Sequence, residues 1–137
     1  MILLDTNVWS ALNRPRQNQR VIEWFAGKEQ QAWLSVIVIA EIRMGIENPA
    51  AEAKRDALTQ WLADLETRYA DRILAFDRNA AHVFGRLVAQ RKLQQQETKL
   101  LDLQIAAQAL AHDVQVATGN VRDFDWTGVK LIDPWAV

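Results

Sequence analysis

The chain alternates between short, mostly apolar runs and longer stretches whose apolar residues recur every three or four positions. Ile2–Leu4, Ala32–Leu34, Arg72–Phe76, Gln115–Thr118 and Val129–Ile132 carry the pattern of short buried strands. Thr6–Leu12 is predicted helical and ends near Arg14-Pro15, because the residue before a proline avoids the helical region. Gln17–Ala26 forms a second amphipathic helix stopped by Gly27. Ala51–Tyr69 is a long helix with Leu58, Trp61, Leu62 and Leu65 on one face. Asp77 is placed to cap a helix over Arg78–Leu93, and Leu100–His112 is another helix. One segment has two readings. Ser35 can cap a helix running to Gly45, but Val36–Ile39 is β-branched throughout and locally favours strand.

Strands that alternate with helices predict an α/β domain of three layers, with a five-stranded, mainly parallel, twisted sheet and helices on both faces. In such sheets ligands bind beyond the carboxyl ends of the strands. Asp5 and the segment after Thr118 both fall at such ends. The chain has 137 residues, which fits one domain over 1–137, and its five glycines and three prolines mark no linker.

The net charge of −1 excludes a protein that holds nucleic acid by bulk positive charge, so a polyanionic substrate would need local neutralisation. Cysteine is absent, which removes disulfides and thiolate zinc sites and makes a reducing cytoplasm the expected compartment. Ile2–Leu4 is too short, and lacks the basic flank, to be read as a secretory leader. No run approaches the roughly 18 apolar residues of a membrane span. The six tryptophans read first as core and interface packing.

Four carboxylates stand among apolar or aromatic neighbours. Asp5 follows Ile2-Leu3-Leu4; Glu41 lies within Val36–Ile42; Asp102 lies within Leu100–Leu103; Asp123 precedes Phe124. Each has an ordinary explanation. Asp5 or Thr6 can cap the first helix, Glu41 can sit on an exposed helical stripe, Asp102 can face the positive end of its helix, and Asp123 can form an Asx turn. Together they suggest more. Carboxylates gathered at one sheet edge repel one another, and a divalent cation removes that conflict. Donors limited to oxygen select magnesium or manganese over zinc, and His82 and His112 lack the helical spacing of a ligand pair. A carboxylate-held Mg²⁺ or Mn²⁺ suits phosphodiester hydrolysis, since it polarises the phosphate and activates a water.

These residues resemble the PIN-domain ribonucleases, and within them the VapC/FitB-type toxins of toxin–antitoxin pairs. The resemblance runs from Leu4 to Trp135. It is carried by Leu4-Asp5-Thr6-Asn7, by Ser35–Gly45 around Glu41, by Asp102–Ala107, and by Thr118-Gly119-Asn120-Val121-Arg122-Asp123-Phe124. It implies that Asp5, Glu41, Asp102 and Asp123 hold one or two Mg²⁺ or Mn²⁺ ions and hydrolyse single-stranded RNA. It implies that Thr6, Asn7, Thr118 and Asn120 support those acids or their waters, and that Ser35–Gly45 is mostly helical. Arg14, Arg43, Arg86, Arg91 and Arg122 become candidates for RNA or antitoxin contact. It further implies a homodimer and a cognate, VapB-like, DNA-binding antitoxin that covers the site. Gly119 stands where many relatives carry arginine or another polar residue, so no side-chain role falls to it.

Three other readings compete. A receiver domain would use Asp77 as phospho-acceptor, but such domains want paired acids after the first strand, and Thr6 follows Asp5. A haloacid-dehalogenase phosphatase would need an aspartate where Asn7 stands. The remaining rival is a PIN-like binding or scaffold domain without catalysis.

Overall fold

The computed structural model describes residues 1–137. Five parallel strands form one sheet: β1 (Ile2–Leu4), β2 (Ala32–Ser35), β3 (Ile73–Leu74), β4 (Gln115–Ala117) and β5 (Leu131–Ile132), in the order β3-β2-β1-β4-β5. The helices are α1 (Thr6–Leu12), α2 (Gln19–Ala26), α3 (Val36–Glu47), α4 (Arg55–Arg68), α5 (Arg78–Leu93), α6 (Leu100–His112) and α7 (Val121–Phe124). β1 is central, with Ile2 opposite both Ala32 and Gln115. All three of its side chains are buried, which is why the strand is apolar throughout rather than alternating. The chain progresses from β1 outward to β3 on one side and later through β4 to β5 on the other. The strand order therefore reverses between β1 and β4, where ligand crevices form in this architecture.

Several boundaries depart from the sequence reading. Pro15–Gln17 forms a tight 3-10 turn, so α2 starts at Gln19. Pro49–Lys54 is also 3-10, and the long helix starts at Arg55. Arg55 explains that break: Nε donates to the carbonyl of Ile46 at 2.8 Å and Nη2 to that of Asn48 at 3.1 Å, which satisfies the free end of α3. The third strand shrinks to Ile73–Leu74. Asp123, for which an Asx turn is the ordinary explanation, lies instead in the short helix α7, anchored by the fully buried Phe124.

The contested segment is helical through Glu47. Ser35 Oγ accepts from the N–H of Ile37 at 3.0 Å, and Ile37, Val38, Ile42 and Ile46 bury one helical stripe. Burial of that stripe outweighs the local preference of β-branched residues for strand.

A polar knot joins this helix start to α6. Gln108 is fully buried; its Oε1 accepts from Ser35 Oγ, and its Nε2 donates to the carbonyls of Leu74 and Ala75, each at 3.1 Å. It ties together the ends of β2 and β3 and the helix that carries Asp102. Gln108→Leu keeps the bulk but removes all three bonds. The expected loss is about 2–4 kcal/mol, because buried polar partners are left unpaired. Urea unfolding checks this: the midpoint falls while the m-value stays constant.

Candidate metal centre

Asp5 leaves the sheet at the carboxyl end of β1, its N–H donating to the carbonyl of Ala117 at 2.9 Å. Its backbone carbonyl accepts from Val8 and Trp9, and its Oδ1 accepts from the N–H of Thr6 at 2.8 Å. The cap of α1 is therefore Asp5 itself, not Thr6. The same buried carboxylate caps α1 and faces the oxygens of Glu41 and Asp102.

Thr118, at the end of β4, donates from Oγ1 to Asp5 Oδ2 at 2.8 Å. Glu41 projects from α3 and accepts from Thr6 Oγ1 at 3.0 Å. Asp102 is the third residue of α6, in its first turn. The loop before it is pinned by Thr98, whose carbonyl accepts from Arg91 and whose Oγ1 donates to the carbonyl of Asp123 and accepts from Trp126 Nε1. One oxygen each from Asp5, Glu41 and Asp102 lies within 4.8 Å of the others.

This gathering is unfavourable without a cation. Burial raises the Asp5 carboxyl above the ordinary aspartate range, offset in part by the bonds from Thr118 and Thr6. Burial also raises Glu41, offset in part by Thr6. Asp102 is pushed up to about 7, first by burial and then by the charges of Asp5, Glu41 and Asp123.

Asp123 stands apart from the other three. It lies exposed on α7, outside the group of converging oxygens, and acts on Asp5 and Asp102 through its charge. Asn7 reaches Thr118 Oγ1 and the N–H of Gly119, both at 3.4 Å, and Asn120 donates its N–H to Thr118 Oγ1 at 3.0 Å. Both therefore support Thr118, not an acid.

The acids open into a cleft of about 610 Å³ that also exposes Ser10, Arg14, Gln17, Asn18, Lys99, Asn120 and Trp135. Among the candidate arginines, only Arg14 lines it. Arg43 pairs with Glu47 at 3.6 Å, Arg86 is exposed on α5, Arg91 holds the Thr98 loop, and Arg122 lines a neighbouring recess with Asp123. Lys99 and Trp135 were not singled out in the sequence. Lys99 precedes Asp102 by three positions and lowers both Glu41 and Asp102.

A family model described as PIN domain matches residues 2–128. The chain belongs to the PIN-domain family. This PIN domain is similar to the toxin FitB of Neisseria gonorrhoeae, at 34% identity over 137 residues, covering 98% of this chain and 99% of that protein. It is equally similar to the VapC ribonuclease Y4jK of Sinorhizobium fredii, at 34% identity and 98% of each chain. The crystal structure of FitAcB from Neisseria gonorrhoeae matches the whole of both chains with a TM-score of 0.87 and 34% identity. Asp77, the acceptor a receiver would need, instead caps α5, with Oδ1 accepting from the N–H of Ala80 at 2.9 Å. Its Oδ2 meets His112 Nε2 at 2.9 Å. No helix of the PIN domain is long and apolar enough to cross a membrane.

Thr6 offers a limited test of how the acids are held. Thr6→Val removes the one side-chain hydroxyl that bonds Glu41. Affinity for Mn²⁺ is expected to fall about tenfold, as for other groups that orient a ligand. Isothermal titration calorimetry measures it, and unchanged affinity would show that Glu41 needs no such support.

Proposed function

We propose that this PIN domain is the toxin of a toxin–antitoxin pair and a metal-dependent endoribonuclease that hydrolyses phosphodiester bonds of single-stranded RNA. The observation that carries this reading is the convergence of Asp5, Glu41 and Asp102 within 4.8 Å at the switch point of the sheet. The relatives named as a toxin and as a VapC ribonuclease support it.

The donor set fits Mg²⁺ or Mn²⁺: three carboxylate oxygens, no sulfur, no imidazole, and room in the cleft for waters and substrate. Asp5, Glu41 and Asp102 would hold the ion, which when bound supplies an activated water and a polarised phosphate. Thr6 and Thr118 fix the rotamers of Glu41 and Asp5, so the carboxylates arrive preoriented. Asn7 and Asn120 hold Thr118 in turn. Arg14 and Lys99 set positive charge on the cleft wall, where an RNA phosphate enters an otherwise acidic site. Asp123 adds negative charge beside the triad and would strengthen its attraction for a cation without itself being one of the three converging ligands.

The cognate antitoxin, VapB-like and DNA-binding, is proposed as partner. The chain is also similar to a chain in the structure of FitAB bound to an IR36 DNA fragment, at 32% identity and a TM-score of 0.80. On this chain an apolar recess between α1, α2 and α4, lined by Leu12, Ile22, Phe25, Trp61 and Tyr69, suits apolar side chains of such a segment. A homodimer and a cytoplasmic location, where the RNA is, complete the proposal.

Metal removal tests the activity. The chain with Mg²⁺ or Mn²⁺ is expected to cleave single-stranded RNA; EDTA stops cleavage, and either ion restores it. Equal cleavage in EDTA would overturn the metal mechanism. No cleavage together with no bound cation would leave a scaffold domain.

A further inference from the structure

The cleft has one aromatic wall. Trp135 and Ala11 are the only apolar side chains lining it. Every other lining residue is polar or charged; the indole packs in part against the hydrophobic core and, half-buried, also borders the cleft. Its placement is fixed on several sides. The N–H of Trp135 donates to Asp133 Oδ1 at 2.9 Å, and its carbonyl accepts from Arg20 Nη1 at 3.0 Å. Its Nε1 donates to Asn18 Oδ1 at 3.3 Å, while Asn18 Nδ2 donates to the carbonyl of Arg14 at 3.1 Å. The indole and the Arg14 segment are thereby held together.

Gly119 supplies the remaining support. A Cβ at this position would stand 2.9 Å from Cζ3 and 3.0 Å from Cε3 of the Trp135 ring. Only a residue without a side chain lets the ring lie this close to the backbone. Gly119 directly follows Thr118, which bonds Asp5. The aromatic wall is thus one residue removed from the group that orients the triad.

We propose that Trp135, seated on Gly119, is the stacking platform for one base of the RNA strand and sets where that strand lies relative to Asp5, Glu41 and Asp102. This rests on the ribonuclease reading above. Single-stranded nucleic acids are held by aromatic faces because every base has a π-surface to offer. A ring already fixed by hydrogen bonds loses little freedom when the base arrives. Trp135 is accordingly a binding residue for substrate and not a ligand of the ion.

The test measures RNA binding apart from cleavage. Fluorescence anisotropy with labelled oligouridylate and oligoadenylate, in Ca²⁺, compares the wild-type chain with Trp135→Leu and Trp135→Phe. Trp135→Leu is expected to weaken both oligonucleotides roughly five- to hundredfold. In Mg²⁺ it raises KM far more than it lowers kcat. Trp135→Phe keeps an aromatic face and recovers most of the affinity. Calorimetric Mn²⁺ binding stays at the wild-type level in both variants, which shows that the fold and the acids are intact. If Trp135→Leu binds RNA as wild type while wild type still cleaves, the platform is overturned and the ribonuclease reading stands. If RNA and Mn²⁺ affinity fall together, or phenylalanine fails to restore binding, Trp135 is a structural clamp. If the wild-type chain neither binds nor cleaves RNA, both readings fail.

Discussion

Asp5→Asn is expected to reduce RNA cleavage by about three orders of magnitude or more while leaving a folded protein. The loss follows from charge. An amide oxygen in place of a carboxylate weakens the hold on a divalent cation, and a Lewis-acid contribution of several kcal/mol disappears with it. Folding survives for a separate reason. Asn keeps the size of Asp and one acceptor, so it can serve either the N–H of Thr6 or the hydroxyl of Thr118. The amide nitrogen then faces the other donor, at a cost of about 1–2 kcal/mol. Against that, the variant no longer buries a carboxylate whose ionisation is opposed by burial. The two effects offset one another near neutral pH. Circular dichroism and cleavage of a labelled RNA, run on one preparation, separate the outcomes. Retained activity would show that Asp5 is a helix cap and nothing more.

The second large effect is on stability, and its sign is set by the raised carboxyls. Asp102 titrates at about 7 in the folded chain, and Asp5 and Glu41 are also raised. An unfolded aspartate titrates near about 4. Between these values the folded state carries more protons than the unfolded state, so stability falls as pH rises through the window and levels off above it. Solvent reaching the cleft screens the repulsion, which leaves a loss of roughly 2 kcal/mol. For a chain of this size that corresponds to a drop in Tm of about 5–10 °C between about pH 5 and pH 8 in EDTA. Mg²⁺ or Mn²⁺ binds the ionised acids, so the ion raises Tm strongly at the upper pH and little at the lower one. Differential scanning calorimetry in EDTA and in millimolar Mg²⁺ reads both arms. A Tm that is flat in EDTA, or raised equally by Mg²⁺ at both pH values, would mean that the three acids do not share a cation site.

The parts of the site that were legible in the sequence share one property: a charge that its apolar neighbours make costly. Asp5 after Ile2–Leu4, Glu41 within a β-branched run and Asp102 among leucines each advertised a conflict, and the structure brings those three together. Asp123 carried a weaker form of that signal, beside a single aromatic, and it lies exposed on α7. What was not legible depends on contacts across long stretches of chain. Trp135 meets Asn18 and Arg20 from the opposite end of the sequence, and the stretch around them shows no pattern that predicts it. Gln108 was closer to readable, since a lone amide among Ile105, Ala106, Ala107 and Ala109 is itself a conflict. Its partners, the ends of β2 and β3, could be found only from the fold. Helix starts shifted where proline turns took up the first residues, as at Pro15–Gln17 and Pro49–Lys54.

The central claim is that Asp5, Glu41 and Asp102 bind one catalytic divalent cation. Anomalous diffraction at the manganese edge, from crystals of the chain grown with MnCl₂, tests it most directly. A strong anomalous peak is expected between the three carboxylates, absent from Asp5→Asn crystals grown the same way. A peak elsewhere on the surface, or no peak between the acids at a Mn²⁺ concentration that supports cleavage, would contradict it.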